Sequence, residues 1–294
     1  MKYIFLCLLT IFFSVSPAIA DEVTVSQIQN LRSKFIALNG ALEKNQFKRP
    51  LVLESKEAPS SLQGDIYALV SYPIKNVIAE LNNPDHWCDV LLLHINTKYC
   101  RATTRPSGTI IVVNVGKKTP EELKYVAQID FTYRAQAITP GYFEIKLRAA
   151  DGPLGTSNYR ISLEGLEAGN GKTFLHLSYS YSMNLVARLG MLTYLKTIAS
   201  EKLGFTVIGK EKGDQVNYVR GVRGLIERNT MRYYLAIDSY LGAATKVPEN
   251  AQLEYRLNTW FAATEQYPLQ LHEMNKDEYL SMKRAENLRQ RLLR

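Results

Sequence analysis

Between residues 125 and 183, apolar and polar residues alternate with period two through four consecutive segments, and this constrains the chain more than any other feature. The first segment sets Tyr125, Ala127, Ile129, Phe131 and Tyr133 against Gln128, Asp130, Thr132 and Arg134. The second sets Phe143, Ile145 and Leu147 against Glu144, Lys146 and Arg148, and the third sets Tyr159, Ile161 and Leu163 against Arg160, Ser162 and Glu164. In the fourth, Leu175, Leu177, Tyr179, Tyr181 and Met183 oppose Phe174, His176, Ser178 and Ser180. Successive side chains leave a strand on opposite faces, so the pattern predicts an antiparallel sheet with one covered and one wet face. Gly169-Asn170-Gly171 supplies a hairpin turn. "KYCRATTR" and "GTIIVVNVG" read as two preceding strands, and "DIYALVSYP" as an earlier one ended by Pro73.

Helical spacing brackets this block. Ile28, Leu31, Phe35, Leu38 and Leu42 make one apolar face over residues 25–45, and "FKRPLVLESKEAPSS" follows as a linker. Ile74, Val77, Ile78 and Leu81 predict a short helix stopped at Asn83-Pro84. After the last strand, Leu185, Leu189, Leu192, Leu195, Ala199 and Leu203 form a stripe that predicts a long helix covering the sheet, with Gly204 as its cap. The last third is mostly helical, in three stretches beginning near residues 215, 251 and 276.

The order of strand, short helix, antiparallel strands and long helix resembles the helix-grip fold of the START and polyketide-cyclase-like (SRPBCC) superfamily. The resemblance rests on "VSYPIKNVIAELNNPDHWCDVL", on "GPLGTSNYRISLEGLEAGNGKTFLHLSYSYSM" and on the Leu185–Leu203 helix. It covers residues 62–208, about half the chain. The expected fold is therefore α+β, a curved antiparallel sheet wrapped around a long C-terminal helix, with extra N- and C-terminal helices. Expected boundaries are a leader at 1–20, an N-terminal helix and linker at 21–60, a START-like domain at 61–209 and a helical extension at 210–294.

The leader follows from residue types. Lys2 precedes the apolar "YIFLCLLTIFFSV", which is short for a membrane span, and Ala18-Ile19-Ala20 has the small-x-small cleavage pattern. The mature protein is expected to be soluble and exported to the periplasm. Removal of Cys7 with the leader leaves two cysteines, Cys88 and Cys100, an even pair in an oxidising compartment. They lie in "NNPDHWCDVLLLHINTKYC", which also holds Asp85, His86, Asp89 and His94. Zinc would use a tighter ligand spacing, and a Cys-His nucleophile would need a free thiolate. A disulfide staple, with the histidines incidental, is the favoured reading; two free buried thiols are the remaining one.

The resemblance implies an apolar cavity between sheet and long helix, holding a lipid, a sterol- or hopanoid-like molecule, or an aromatic. Its candidate lining is Phe131, Tyr133, Tyr159, Ile161, Leu177, Tyr179 and Tyr181 from the sheet, with Leu189, Leu192 and Leu195 from the helix. Tyrosines offer ring area and one hydroxyl each, which suits an orienting role in an apolar chamber. A solid core is the alternative. The formal charge of +8 fits an anionic membrane surface, for which Arg220, Arg223, Arg228 and Arg232 are candidates; a solvated basic face is the plainer reading. No nucleic-acid partner is expected of an exported chain without a binding motif. No metal or cofactor is expected: Gly169-x-Gly171-Lys172 lacks full phosphate-loop spacing, and GxSxG and HExxH are absent. The rival readings are a protein-interaction scaffold built on the added helices, and a cyclase- or hydrolase-type enzyme on the same fold.

Overall fold

A computed structural model of the chain describes residues 17–197, 200–210 and 216–293. Residues 1–16 of the expected leader lie outside the described residues. The elements are α1 (Pro17–Glu43), β1 (Leu51–Glu57), β2 (Ser61–Val70), α2 (Ile74–Leu81), α3 (Pro84–Leu92), β3 (Thr97–Arg105), β4 (Gly108–Val115), β5 (Ala127–Thr139), β6 (Tyr142–Asp151), β7 (Thr156–Gly169), β8 (Lys172–Met183) and α4 (Leu185–Thr197). A small hairpin, β9 (Val207–Lys210) and β10 (Val216–Tyr218), leads into α5 (Gly221–Lys246), α6 (Glu249–Thr264), α7 (Pro268–Leu271) and α8 (Lys276–Leu292).

Eight strands form one curved antiparallel sheet in the order β1-β2-β8-β7-β6-β5-β4-β3. β3 to β8 is a meander, and β2 pairs with β8 from Ser61↔Ser182 to Val70↔Thr173. The alternation sets the faces as expected. Ile129, Phe131, Ile145, Leu147, Ile161, Leu163, Leu177 and Tyr179 are buried in the main core. The hairpin between β7 and β8 places Gly169, Asn170 and Gly171 all at positive φ, which glycine and asparagine tolerate.

The opposite face is not wholly wet. α1 lies on it with the face read from the sequence: Leu31 and Leu42 are buried with Tyr142, Leu166 and Phe174, and Ile28, Phe35 and Leu38 pack around them. Phe35 stacks on Phe174 at 4.6 Å. Phe174, on the polar side of the β8 alternation, is apolar because α1 covers it.

Three expectations need correction. Residues 51–57, read as linker, form edge strand β1, so the expected boundary at 61 falls between two hydrogen-bonded strands. Asn83-Pro84, expected only to stop the short helix, also starts a second one, α3, with the Asn83 side chain accepting from Asp85 N–H and Pro84 at its first turn. Most consequentially, the helix packed across the concave face is α5, not the Leu185–Leu203 stretch. α5 is buried around most of its circumference, including Ile226, Glu227, Thr230, Met231 and Leu235. It approaches so closely that a Cβ on Gly64 of β2 would fall within 2.2 Å of Thr230 Oγ1. α4 lies outside α5 and leaves Leu185, Val186 and Leu189 exposed. The supposed C-terminal extension thus contains the central helix.

α6 and α8 pack beyond α5 and α3. Trp260 stacks on Tyr279 at 4.9 Å, and the Tyr279 hydroxyl donates to Leu93 O. Cys88 of α3 and Cys100 of β3 form a buried disulfide with a Cα–Cα distance of 5.1 Å. Such bridges are commoner in chains that mature in oxidising surroundings. Among the described residues no helix is long and apolar enough to cross a membrane.

Candidate functional site

Two adjoining chambers lie between the concave sheet face and the helices. The larger, about 860 Å³, is walled by Tyr159, Tyr179, Tyr181 and Met183 from β7 and β8, by Pro153 and Leu154 from the turn before β7, by Val186, Ala187, Gly190 and Met191 from α4, and by Leu225 and Asn229 from α5. The smaller, about 560 Å³, reaches toward β3–β5 and is lined by His94, Asn96, Ile129, Phe131, Ile161 and Tyr233 among others. Pro153, Leu154, Tyr159, Tyr179 and Asn229 border both. Leu154 stands at their mouth, almost fully exposed, with φ of 56° in the left-handed region that leucine seldom adopts.

The shared wall is an aromatic cluster. Tyr159 stacks on Tyr181 at 5.2 Å, and Tyr179 meets Tyr233 edge-on at 5.1 Å. Tyr159 donates its hydroxyl to Thr156 Oγ1 at 2.8 Å. Tyr179, Tyr181 and Tyr233 are held as neutral phenols, because burial raises all three above the usual tyrosine value. An apolar wall carrying a few hydroxyls can hold an apolar body and fix its orientation.

His94 is the polar residue that the sequence reading treated as incidental. It sits in the turn between α3 and β3, is 5% exposed, and stacks on Tyr233 at 4.8 Å. Asn96 N–H donates to its Nδ1 at 3.2 Å. Burial, then the charges of Arg232, Lys283 and Lys118, hold its pKa well below the ordinary histidine range.

The predicted lining residues divide into two groups. Phe131, Tyr159, Ile161, Tyr179 and Tyr181 border the chambers. Tyr133 and Leu177 are buried but border neither, and the Tyr133 hydroxyl donates to Leu81 O at 3.3 Å. Leu189 is exposed, Leu192 is half-buried and Leu195 is buried, and none borders a chamber. α4 turns a neighbouring face inward, because it covers the chamber mouth rather than lying in the sheet's concavity. The four arginines do not form a surface. Arg232 is buried and paired with Glu273 at 2.7 Å, and Arg228 is buried with Nη1 donating to Leu203 O. Arg223 bonds Ser55 Oγ, and Arg220 bonds Ser200 O. Only Arg228 and Arg232 are taken inside by the enclosure of α5; Arg220, just before the helix, is exposed and Arg223 is half-buried.

No family model matches the chain, and no curated protein matches it. Solved structures do. Norcoclaurine synthase from Thalictrum flavum, in complex with dopamine and hydroxybenzaldehyde, is 12% identical with a TM-score of 0.36, covering 67% of this chain and 91% of that one. The Zhui aromatase/cyclase from Streptomyces sp. R1128 is 12% identical with a TM-score of 0.34, covering 43% and 74%. Ara h 8.0201 is 11% identical with a TM-score of 0.34, covering 62% and 97%. In this chain β2 is followed by the α2–α3 pair, a six-strand meander returns to β2, and a long helix is held across the concave face. That order is a helix-grip arrangement, and it resembles the START and polyketide-cyclase-like fold.

Proposed function

We infer that the protein binds a hydrophobic small molecule in the two chambers and carries it outside the cytoplasm, in the periplasm, after removal of a leader. The observation that supports this most is the tyrosine-walled chamber of about 860 Å³, a volume typical of small-molecule sites and lined mainly by apolar side chains. A lipid, a polycyclic terpenoid or an aromatic would each suit such a lining. The scaffold reading loses ground because α5 and α6 pack most of their apolar residues within this chain, although α8 leaves Leu288 and Leu292 exposed. The enzyme reading gains one point from His94, a neutral imidazole on the chamber wall.

Mass spectrometry of an organic extract of the purified protein tests the proposal. A stoichiometric small molecule supports it, and an empty protein that takes up nothing from an added lipid panel overturns it. A second arm uses Gly190, where an added Cβ would meet nothing within 4 Å. Gly190→Phe projects a ring into the larger chamber and is expected to lower ligand affinity at least about ten-fold with little change in stability.

A further inference from the structure

The sheet face turned away from the chambers divides in two. α1 covers the end where Tyr142, Leu166 and Phe174 lie side by side on β6, β7 and β8. Further along the same face the outward side chains are cationic. Arg134 of β5 stands directly opposite Lys146 of β6, and Arg148 of β6 stands directly opposite Arg160 of β7. Like charges in directly opposed cross-strand positions cost stability.

The chain does not neutralise this charge. Glu144 pairs with Lys146 at 2.7 Å. Glu164 is held by His176 and the Tyr142 hydroxyl, Asp65 by His176 and Gln63, and Asp130 by Gln128. Arg134, Arg148 and Arg160 are exposed, and among the described residues none of the three has a side-chain hydrogen bond or ion pair. Thr132, Arg134, Gln136, Lys146 and Arg148 enclose a cavity of about 320 Å³ on this surface. The Thr132 hydroxyl donates to Arg148 O at 3.1 Å, so the free donors of the cavity are the two guanidinium groups and the Gln136 amide. With Lys146 matched by Glu144, Arg134 and Arg148 leave two positive charges there. A guanidinium presents its N–H groups as a planar fork that matches an oxoanion, and a phosphate group carries close to two negative charges near neutral pH.

We propose that Arg134 and Arg148 form a binding site for a phosphate-type dianion on the convex sheet face, separate from the hydrophobic chambers. The bound dianion offsets both charges and relieves the repulsion within the two like-charge pairs. A single carboxylate balances only one of the charges, and an apolar ligand finds no apolar side chain in the lining.

Calorimetric titration of the full chain with inorganic phosphate, glycerol 1-phosphate and acetate, at matched low ionic strength, tests this. Both phosphates are expected to bind at least about ten-fold more tightly than acetate. Arg134→Gln and Arg148→Gln are each expected to weaken phosphate binding about three- to ten-fold. Arg101→Gln removes an exposed cation of β3 outside the cavity and should leave phosphate binding unchanged. Thermal denaturation reads the like-charge cost directly. Without phosphate, Arg148→Gln should melt higher than the unsubstituted chain, and added phosphate should raise its melting temperature less. Vesicles of phosphatidic acid in phosphatidylcholine separate the sources of the group. Co-sedimentation that free phosphate competes away assigns it to a lipid head group, and phosphate binding without co-sedimentation assigns it to a soluble phosphate ester. Phosphate bound no more tightly than acetate, or weakened as much by Arg101→Gln as by Arg148→Gln, overturns the site and leaves the ligand-binding reading of the chambers standing.

Discussion

His176 shows how much one position gains from its neighbours. It lies on the polar side of β8, as the alternation predicts, with its ring stacked on Tyr67 at 4.2 Å. Nδ1 meets Glu164 of β7 at 2.8 Å and Nε2 meets Asp65 of β2 at 3.0 Å, so one imidazole joins three adjacent strands. Burial opposes a charge on the ring, but the hydrogen bonds to the two carboxylates outweigh it and raise its pKa to about 9. The folded value lies above the unfolded one near 6.5, so the stabilisation is complete below about pH 6.5 and is lost as pH rises through about 9. The contribution is roughly 3 kcal/mol. Urea denaturation should show stability falling across that interval, and His176→Gln should be less stable at pH 6 and flatter above it. His94 could not be read in the same way. Its role depends on a backbone N–H two residues on and on Tyr233 far along the chain, and neither appears in residue spacing.

At the scale of elements, the sequence spoke clearly wherever one face was buried. The β5–β8 alternation and the α1 stripe survive in the structure because each has a covered side and a free side. α3 was legible but unread: Asn83-Pro84-Asp85 is a helix N-terminus, with an N-cap, a proline at the first turn and an acid beside the dipole. β1 was hidden by its position at the sheet edge, where "LESKE" is only half-buried. The staple joins α3 to β3 across twelve residues. Its loss, by reduction or by Cys88→Ser with Cys100→Ser, should cost about 2–3 kcal/mol, measured by thermal denaturation with and without reductant. The seat of α5 on β2 needs Gly64, because a methyl group there meets Thr230 and the backbone oxygen of Ile226 at 3.5 Å. Gly64→Ala is expected to cost about 1–3 kcal/mol. Thr230→Ala should recover part of that loss in the double variant, and urea denaturation of the three variants checks it.

Across the whole molecule, the sheet holds α5 on its concave side and α1 on the other, and α6 and α8 close the far flank. The choice of α5 as the held helix has a physical basis. A helix enclosed on all sides shows no amphipathic stripe, and α5 carries Glu227, Arg228 and Arg232 in buried pairings that resemble a solvated face in sequence. Glu227, fully buried, accepts from Ser55 Oγ, from Phe205 and Thr206 N–H and from Thr206 Oγ1, tying α5 to β1 and to the segment after α4. α4 has the more visible stripe, yet Leu185 and Leu189 of that stripe are exposed, because α4 turns a neighbouring face to the chamber. A ligand bound in the chambers would bridge sheet, α4 and α5. At a hundred-fold excess over its Kd it should therefore raise the unfolding free energy by about 2.7 kcal/mol, seen as a higher melting temperature.

The sequence alone determined the sheet and its inward face, the α1 stripe, the pairing of two cysteines and the helix-grip order, because each is written in local period or residue type. Only the tertiary structure decided which helix the sheet holds, where the cavity opens and that His94 borders it. Those outcomes depend on contacts between residues far apart in the chain, which set burial and partnership independently of any local pattern.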